Sequence, residues 1–114
     1  MPAEIFTHAH RVTYADCTVG NHVYYGRYPD LLEAARGEFF RHLGTSFLEH
    51  QEEGIFFPVS EVHLKYFAFA EYDDELSIEC RMTAIRGARL GFGYRITKGA
   101  VSYTHLRAHE TIPD

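Results

Sequence analysis

Two hydrophobic periods follow one another along this chain, and their order restricts the folds open to it. Tyr28, Leu31, Leu32, Ala35, Phe39 and Leu43 recur at helical spacing and form one apolar stripe. Pro29 has no N–H to donate and is harmless only in a first turn, so the helix is expected to begin near Gly26 to Tyr28. Asp30 and Glu33 then lie near the positive end of the helix dipole, and Gly44 is a natural C-terminal stop. After a loop through Gly54 the period becomes two. Val62, Leu64, Tyr66 and Ala68 alternate with Glu61, His63, Lys65 and Phe67. Glu71–Asp74 reads as a turn. Leu76, Ile78, Cys80 and Met82 then alternate with Glu75, Ser77, Glu79 and Arg81. Arg86–Arg89 turns again at Gly87, and Leu90, Phe92, Tyr94 and Ile96 alternate with Gly91, Gly93 and Arg95. Consecutive strands with short connections imply an antiparallel meander. Gly91 and Gly93 share one face, where close backbone approach is expected. Residues 5–14, with Phe6, Val12 and Tyr14, read as a strand ahead of the helix. A broad aromatic helix stripe has to be covered, and a curved antiparallel β-sheet wrapped around one long α-helix covers it, an α+β architecture.

Composition narrows the function classes. With 114 residues the chain is expected to be a single domain over 1–114, small enough that oligomerisation would add usefully to its buried surface. A hydrophobic share of 46 % argues against disorder. A formal charge of −5 disfavours nucleic acid as a partner, but an anionic small molecule needs only a local basic patch. No apolar run approaches the roughly 20 residues of a membrane helix. The opening Met-Pro-Ala-Glu-Ile lacks a basic region followed by an apolar core, so no secretory signal is expected. Two cysteines, Cys17 and Cys80, are too few for a disulfide scaffold, and reduced thiols fit a cytoplasmic protein.

The run from Val12 to Tyr28 carries the chemistry. Asp16 follows a strand pattern and is separated from the helix by a Gly20-Asn21 turn and an aromatic cluster. An acid beside a helix N-terminus faces unpaired N–H groups that hold developing negative charge, an arrangement suited to acyl transfer or hydrolysis. The competing reading is that Asp16 only caps a turn. Cys17 is adjacent, but no His–acid pair evidently serves it as a nucleophile.

The residues Tyr14-Ala-Asp16-Cys-Thr-Val-Gly20-Asn-His22-Val23-Tyr24-Tyr25-Gly26-Arg-Tyr28, followed by Leu32-Glu33-Ala-Ala-Arg36 and Phe39–Gly44, resemble the hotdog-fold acyl-CoA thioesterases, the 4-hydroxybenzoyl-CoA thioesterase-like family in particular. The resemblance covers about residues 8–97. It implies a hotdog fold, a homodimer with active sites between subunits, and often a homotetramer. It implies an acyl-CoA substrate, hydrolysed to free acid and coenzyme A with no cofactor. Asp16 corresponds to the catalytic acid, as nucleophile or general base, and the helix N-terminus near Val23–Gly26 to the group that polarises the thioester carbonyl. His22, Val23, Tyr24, Tyr25, Gly26 and Glu33 are then the expected substrate-binding residues. Glu33 is alternatively a dipole-complementing residue with Arg36 three positions later.

The chain departs from the family pattern at two positions. Many relatives carry a second acid where this chain has Thr18, and His or Asn where it has Tyr25. Both favour the alternative of a non-catalytic acyl-CoA-binding protein. A further alternative is a dehydratase of 3-hydroxyacyl thioesters, which needs a His–acid pair for which His22 is the nearby candidate. Coenzyme A phosphates require cations, and Lys65, Arg86 and Arg89 are the candidates, the two arginines flanking a glycine turn. His8 and His10 share a strand face, but no third ligand is identifiable, so no metal is assigned. The segment 101–114 resembles a peptide translated from sequencing-adaptor read-through, although its period-two pattern suits pairing with the sheet; no function is drawn from His105 or His109.

Overall fold

The computed structural model describes residues 5–44, 52–54, 59–86, 89–98 and 104–113. Within them, β1 (Phe6–Arg11) is followed by 3-10 turns at Tyr14–Asp16 and Tyr25–Arg27, then by α1 (Tyr28–His42). Four strands come next: β2 (Glu61–Tyr66), β3 (Glu75–Arg86), β4 (Arg89–Lys98) and β5 (Thr104–Pro113). They form one five-stranded sheet in the order β1-β3-β4-β5-β2, each neighbouring pair antiparallel.

Helix α1 begins where Pro29 permits and stops before Gly44, whose φ of +89° suits glycine. Its stripe is buried at Tyr28, Leu31, Leu32, Ala35 and Phe39, joined by Phe40. These side chains meet the inner sheet face, formed by Leu76, Ile78 and Cys80 of β3, Phe92, Tyr94 and Ile96 of β4, and Leu106 and Ile112 of β5. Phe40 stands edge-on to Phe92 with ring centres 5.9 Å apart, and Phe6 of β1 stacks on Phe39 at the same distance. Leu43 is the exception: it follows the last helical residue and is exposed. Irregular register between Met82 and Ala84, and between Ile96 and Thr97, interrupts the central ladders, the kind of bulge that bends a sheet. At Gly93 an added Cβ would lie 3.1 Å from Thr83 Cγ2, a tight approach on that face.

Two expectations are corrected. The first strand ends at Arg11 instead of running on to Tyr14, because Val12 is already spent on crossing contacts and Tyr14–Asp16 turns. The strands are also not a simple meander. β3, β4 and β5 follow one another, but β2 does not pair with β3; it lies at the far edge against β5. The segment between β2 and β3 cannot close a hairpin because its backbone is bonded elsewhere. Ala70 N–H donates to the Tyr28 hydroxyl (3.2 Å), and its carbonyl accepts from Val23 N–H (2.9 Å). Tyr72 N–H donates to Asn21 O, Asp73 N–H to Val12 O, and Val12 N–H to Asp74 O. The crossing chain is thereby stitched to both loops that flank the start of α1. As an edge strand, β2 is mostly exposed, so Val62 and Tyr66 do not join the core.

A buried ion pair ties helix to sheet. Arg36 turns inward, away from Glu33, and its Nη1 donates to Glu110 Oε1 of β5 (2.5 Å); Tyr94 of β4 also donates to that carboxylate. Removing one member of a buried pair strands the other charge, which costs about 3–5 kcal/mol. Glu110→Ala should therefore lower stability by about that much in denaturant titration, and a loss under about 1 kcal/mol would show that the pair does not hold β5 to α1.

Candidate active site

The local sequence around Asp16 is folded by its own hydrogen bonds. Thr13 precedes a 3-10 turn over Tyr14–Asp16, and Asp16 reaches back to accept from Thr13 N–H (2.9 Å, to Oδ2) and Thr13 Oγ1 (3.2 Å, to Oδ2). His10 of β1 contacts the same oxygen through Nε2 at 2.7 Å. The other oxygen, Oδ1, accepts from Arg27 Nε at 2.8 Å. Asp16 is thus only 1 % exposed, and both its oxygens are engaged. Burial alone would push its carboxyl up, but the Thr13 amide, the Arg27 guanidinium and His10 outweigh it and hold the group down at about 2. The acid is ionised at neutral pH.

Arg27 is the residue that brings Asp16 to the helix. It is the N-cap residue of α1 and ends the turn Tyr25–Arg27. Tyr24 N–H donates to the Asp16 carbonyl (2.9 Å), so the 24–27 turn is gripped by Asp16 at both ends, by backbone at one and side chain at the other. Arg27 Nη1 also donates to Asp30 Oδ2 at 3.1 Å, in the first turn of α1.

The expected carbonyl-polarising stretch Val23–Gly26 divides in two. Val23 N–H is bonded to Ala70 O, its side chain is 2 % exposed in the core, and Tyr24 N–H is bonded to Asp16 O. These amides are occupied, which removes Val23 from the groups able to meet a substrate. Tyr25 and Gly26 open the 3-10 turn, and among the described residues their N–H groups have no backbone acceptor. Those two amides remain for an oxyanion. At Gly26 a Cβ would lie 2.6 Å from Tyr24 Cε2, so a larger residue there would displace the exposed Tyr24 ring. Tyr24 and Tyr25 are exposed, with ring centres 4.7 Å apart, and Tyr66 Oη of β2 donates to Tyr25 O (3.1 Å).

The remaining candidates lie at varying remove. His22 is exposed, follows Gly20 (φ +97°) and Asn21 (φ +63°), bridges to Glu71 and stands against the Phe69 ring at 5.6 Å. It has no acid partner among the described residues. Thr18 is exposed, its N–H bonded to His22 O. Glu33 lies on the outer side of α1, in a shallow groove with His8, Asp30, Glu38 and Arg41, and is not brought into the Asp16 cluster. Lys65 is exposed on β2, its ammonium 5.5 Å from the Phe67 ring centre. In register it faces Arg107, which faces Arg95, which faces Glu79; three cations thus stand side by side across the sheet. Arg86 and Arg89 face one another where β3 meets β4, and their side chains lie outside the described residues, as does that of His105. The Cys17 thiol is pushed up by burial and by Asp16, which makes it a poor nucleophile.

Sequence reasoning missed His10, Thr13 and Arg27. The histidine was visible only as a neighbour of His8 on a strand face, and nothing in local spacing pairs it with an acid beyond a strand end. Arg27 follows Gly26 directly, and its place at the start of the helix was the one available signal.

The thioesterase-like superfamily model matches residues 12–112, and the chain belongs to that family. It is 35 % identical over 96 residues to the acyl-CoA thioester hydrolase YbgC of Escherichia coli, covering 84 % of this chain and 72 % of that protein. The acyl-CoA thioesterase YbgC of Haemophilus influenzae is 32 % identical over 92 residues, covering 80 % and 68 %. Among solved structures, a probable thioesterase from Bartonella henselae superimposes with a TM-score of 0.90 at 27 % identity, over 96 % of this chain and 90 % of that one. The 4-hydroxybenzoyl CoA thioesterase of Pseudomonas sp. strain CBS-3 gives 0.86 at 23 % identity, over 96 % and 83 %, a likeness of fold. The architecture is the hotdog fold.

The depressed Asp16 carboxyl has a consequence for stability. A group whose folded value lies below its unfolded one stabilises the fold above the unfolded value, and that contribution is lost as pH falls from about 5 to about 2. The wild type should lose stability over this window, and Asp16→Asn should lose measurably less; equal acid sensitivity in denaturant titrations at several pH values would contradict the assignment.

Proposed function

We propose that this protein hydrolyses an acyl-CoA thioester to the free acid and coenzyme A, with Asp16 as nucleophile or general base. The observation that carries the reading is the ionised Asp16 carboxylate at the start of α1, in a chain one-third identical to acyl-CoA thioester hydrolases. In this mechanism the thioester carbonyl carbon comes to Asp16, or to a water that Asp16 deprotonates. The carbonyl oxygen turns to the Tyr25 and Gly26 amides, donors of a type that contribute about 3–4 kcal/mol each where measured in other enzymes. The C–S bond then breaks and coenzyme A leaves as its thiolate. No cofactor enters these steps. His22, which stands against Phe69, lines the approach with the exposed pair Tyr24 and Tyr25. Lys65 belongs to a row of like charges, an arrangement that costs stability and that a phosphate group would relieve. Arg86 and Arg89 are proposed for the same phosphates.

The acyl pocket is completed by a second copy of the chain, making a homodimer or homotetramer. What supports this is β2, an edge strand that exposes Val62 and Tyr66, next to exposed Phe67 and Phe69. Among the described residues no helix is long and apolar enough to cross a membrane, and a cytoplasmic setting suits a coenzyme A substrate.

One observation favours the non-catalytic binder: Asp16 is covered, and both its oxygens have partners. Another keeps the dehydratase in view, since the His–acid pair that chemistry wants is present as His10–Asp16 and not at His22.

Thiol release from a panel of acyl-CoAs separates the three. Hydrolysis by the wild type, lowered roughly 10²–10⁴-fold in Asp16→Asn or Asp16→Ala, is the expected result. Tight binding without thiol release would establish the binder, and loss of water from a 3-hydroxyacyl-CoA the dehydratase. Val62→Lys with Tyr66→Lys should shift the assembly to monomer in light scattering and reduce turnover with it; an unchanged mass would place the interface elsewhere.

A further inference from the structure

Asp16 poses a problem for any chemistry it performs. At 1 % exposure its carboxylate cannot come within the roughly 3–3.5 Å of a substrate atom that reaction requires. One of its partners has to withdraw. Thr13 holds Oδ2 from the backbone of the same turn, and His10 holds it from within β1. Arg27 is the partner built to move. Its side chain is 40 % exposed against 23 % for His10, and among the described residues it alone holds Oδ1. It has a second carboxylate, Asp30, to keep it in place once it lets go. A guanidinium carries five N–H groups. Two are used, on Asp16 and Asp30, and among the described residues the other three have no protein acceptor.

We propose that Arg27 is a catalytic residue of this site: its guanidinium covers Asp16 Oδ1 in the free protein, and on substrate binding it lets go of Asp16, stays on Asp30 and donates to the thioester carbonyl oxygen. This rests on the hydrolase reading above. The cover and the electrophile are the same group, so the acid is uncovered only when a carbonyl oxygen takes its place. The step balances without a further reactant. Water oxygen bonds to the carbonyl carbon, its proton passes to Asp16, and the carbonyl π pair moves to oxygen as the Arg27-bound oxyanion. Re-forming the C=O expels the C–S pair on coenzyme A thiolate, which takes a proton from Asp16. The same donors serve if Oδ1 attacks directly and water cleaves the resulting anhydride.

Steady-state thiol release by Arg27→Ala, Arg27→Lys and Arg27→Gln tests this beside wild type and Asp16→Asn, with thermal melts to confirm folding. Arg27→Ala is expected to lower kcat about 10²-fold with KM changed less than about threefold, the mark of an interaction made in the transition state. Arg27→Lys should retain part of the rate, and millimolar methylguanidinium should restore part of it to Arg27→Ala. If the alanine variant does not fold, the glutamine variant carries the comparison. Turnover in folded Arg27→Ala equal to or above wild type, while Asp16→Asn is inactive, would overturn the Arg27 role and leave the hydrolase reading standing. A rate loss in folded variants that neither lysine nor methylguanidinium relieves would overturn it too. Absence of thiol release by the wild type from every acyl-CoA tried would remove the hydrolase reading and this inference together.

Discussion

A carboxylate buried to 1 % exposure is tolerable only if it is paired, and Asp16 is paired from three directions. His10 comes from β1, Thr13 from its own turn, and Arg27 from the head of α1. The consequence reaches beyond the acid. The Asp16 carbonyl and side chain together fix the turn that launches the helix, so the helix start is set by the residue proposed to carry the chemistry. The segment crossing from β2 to β3 is pinned to the same place by Val23, Ala70 and the Tyr28 hydroxyl. Position, ionisation and access of one side chain are therefore governed by a single cluster, and strengthening the cluster closes the site.

Much of the scaffold was legible because it is written in short-range patterns. Pro29, the Tyr28–Phe39 stripe and Gly44 define α1, and the alternation through Leu76–Cys80 and Phe92–Ile96 defines the inner faces of β3 and β4. The place of β2 was not legible. Its alternation says strand, but which strand it joins is decided by hydrogen bonds at Ala70, Tyr72 and Asp73, to partners dozens of residues earlier. Leu43 fits the stripe by spacing yet lies past the helix end, where spacing has no meaning. The same limit applies to the site. Asp16 stood out through its motif, whereas His10 and Arg27, six and eleven residues away on different elements, are brought to it only by the fold. Val23, expected at the site, places its side chain in the core, a burial that local spacing does not reveal.

Among the described residues, buried charge lies at two points with different surroundings. Arg36, Glu110 and Tyr94 close on one another beneath the sheet, which joins α1 to β4 and β5. At Asp16 the partners His10 and Arg27 keep contact with solvent, and a site is possible where a purely structural pair would be sealed. Membership of the thioesterase-like family gives that difference its chemical meaning.

The account stands most directly on where the thioester meets the protein. A crystal structure with a non-hydrolysable acyl-CoA analogue decides this. The account predicts the carbonyl-equivalent carbon within about 3–3.5 Å of Asp16 Oδ1 or of a water bound to it, and its oxygen on donors at the head of α1. An analogue bound elsewhere, with Asp16 still sealed beneath Arg27, would contradict it.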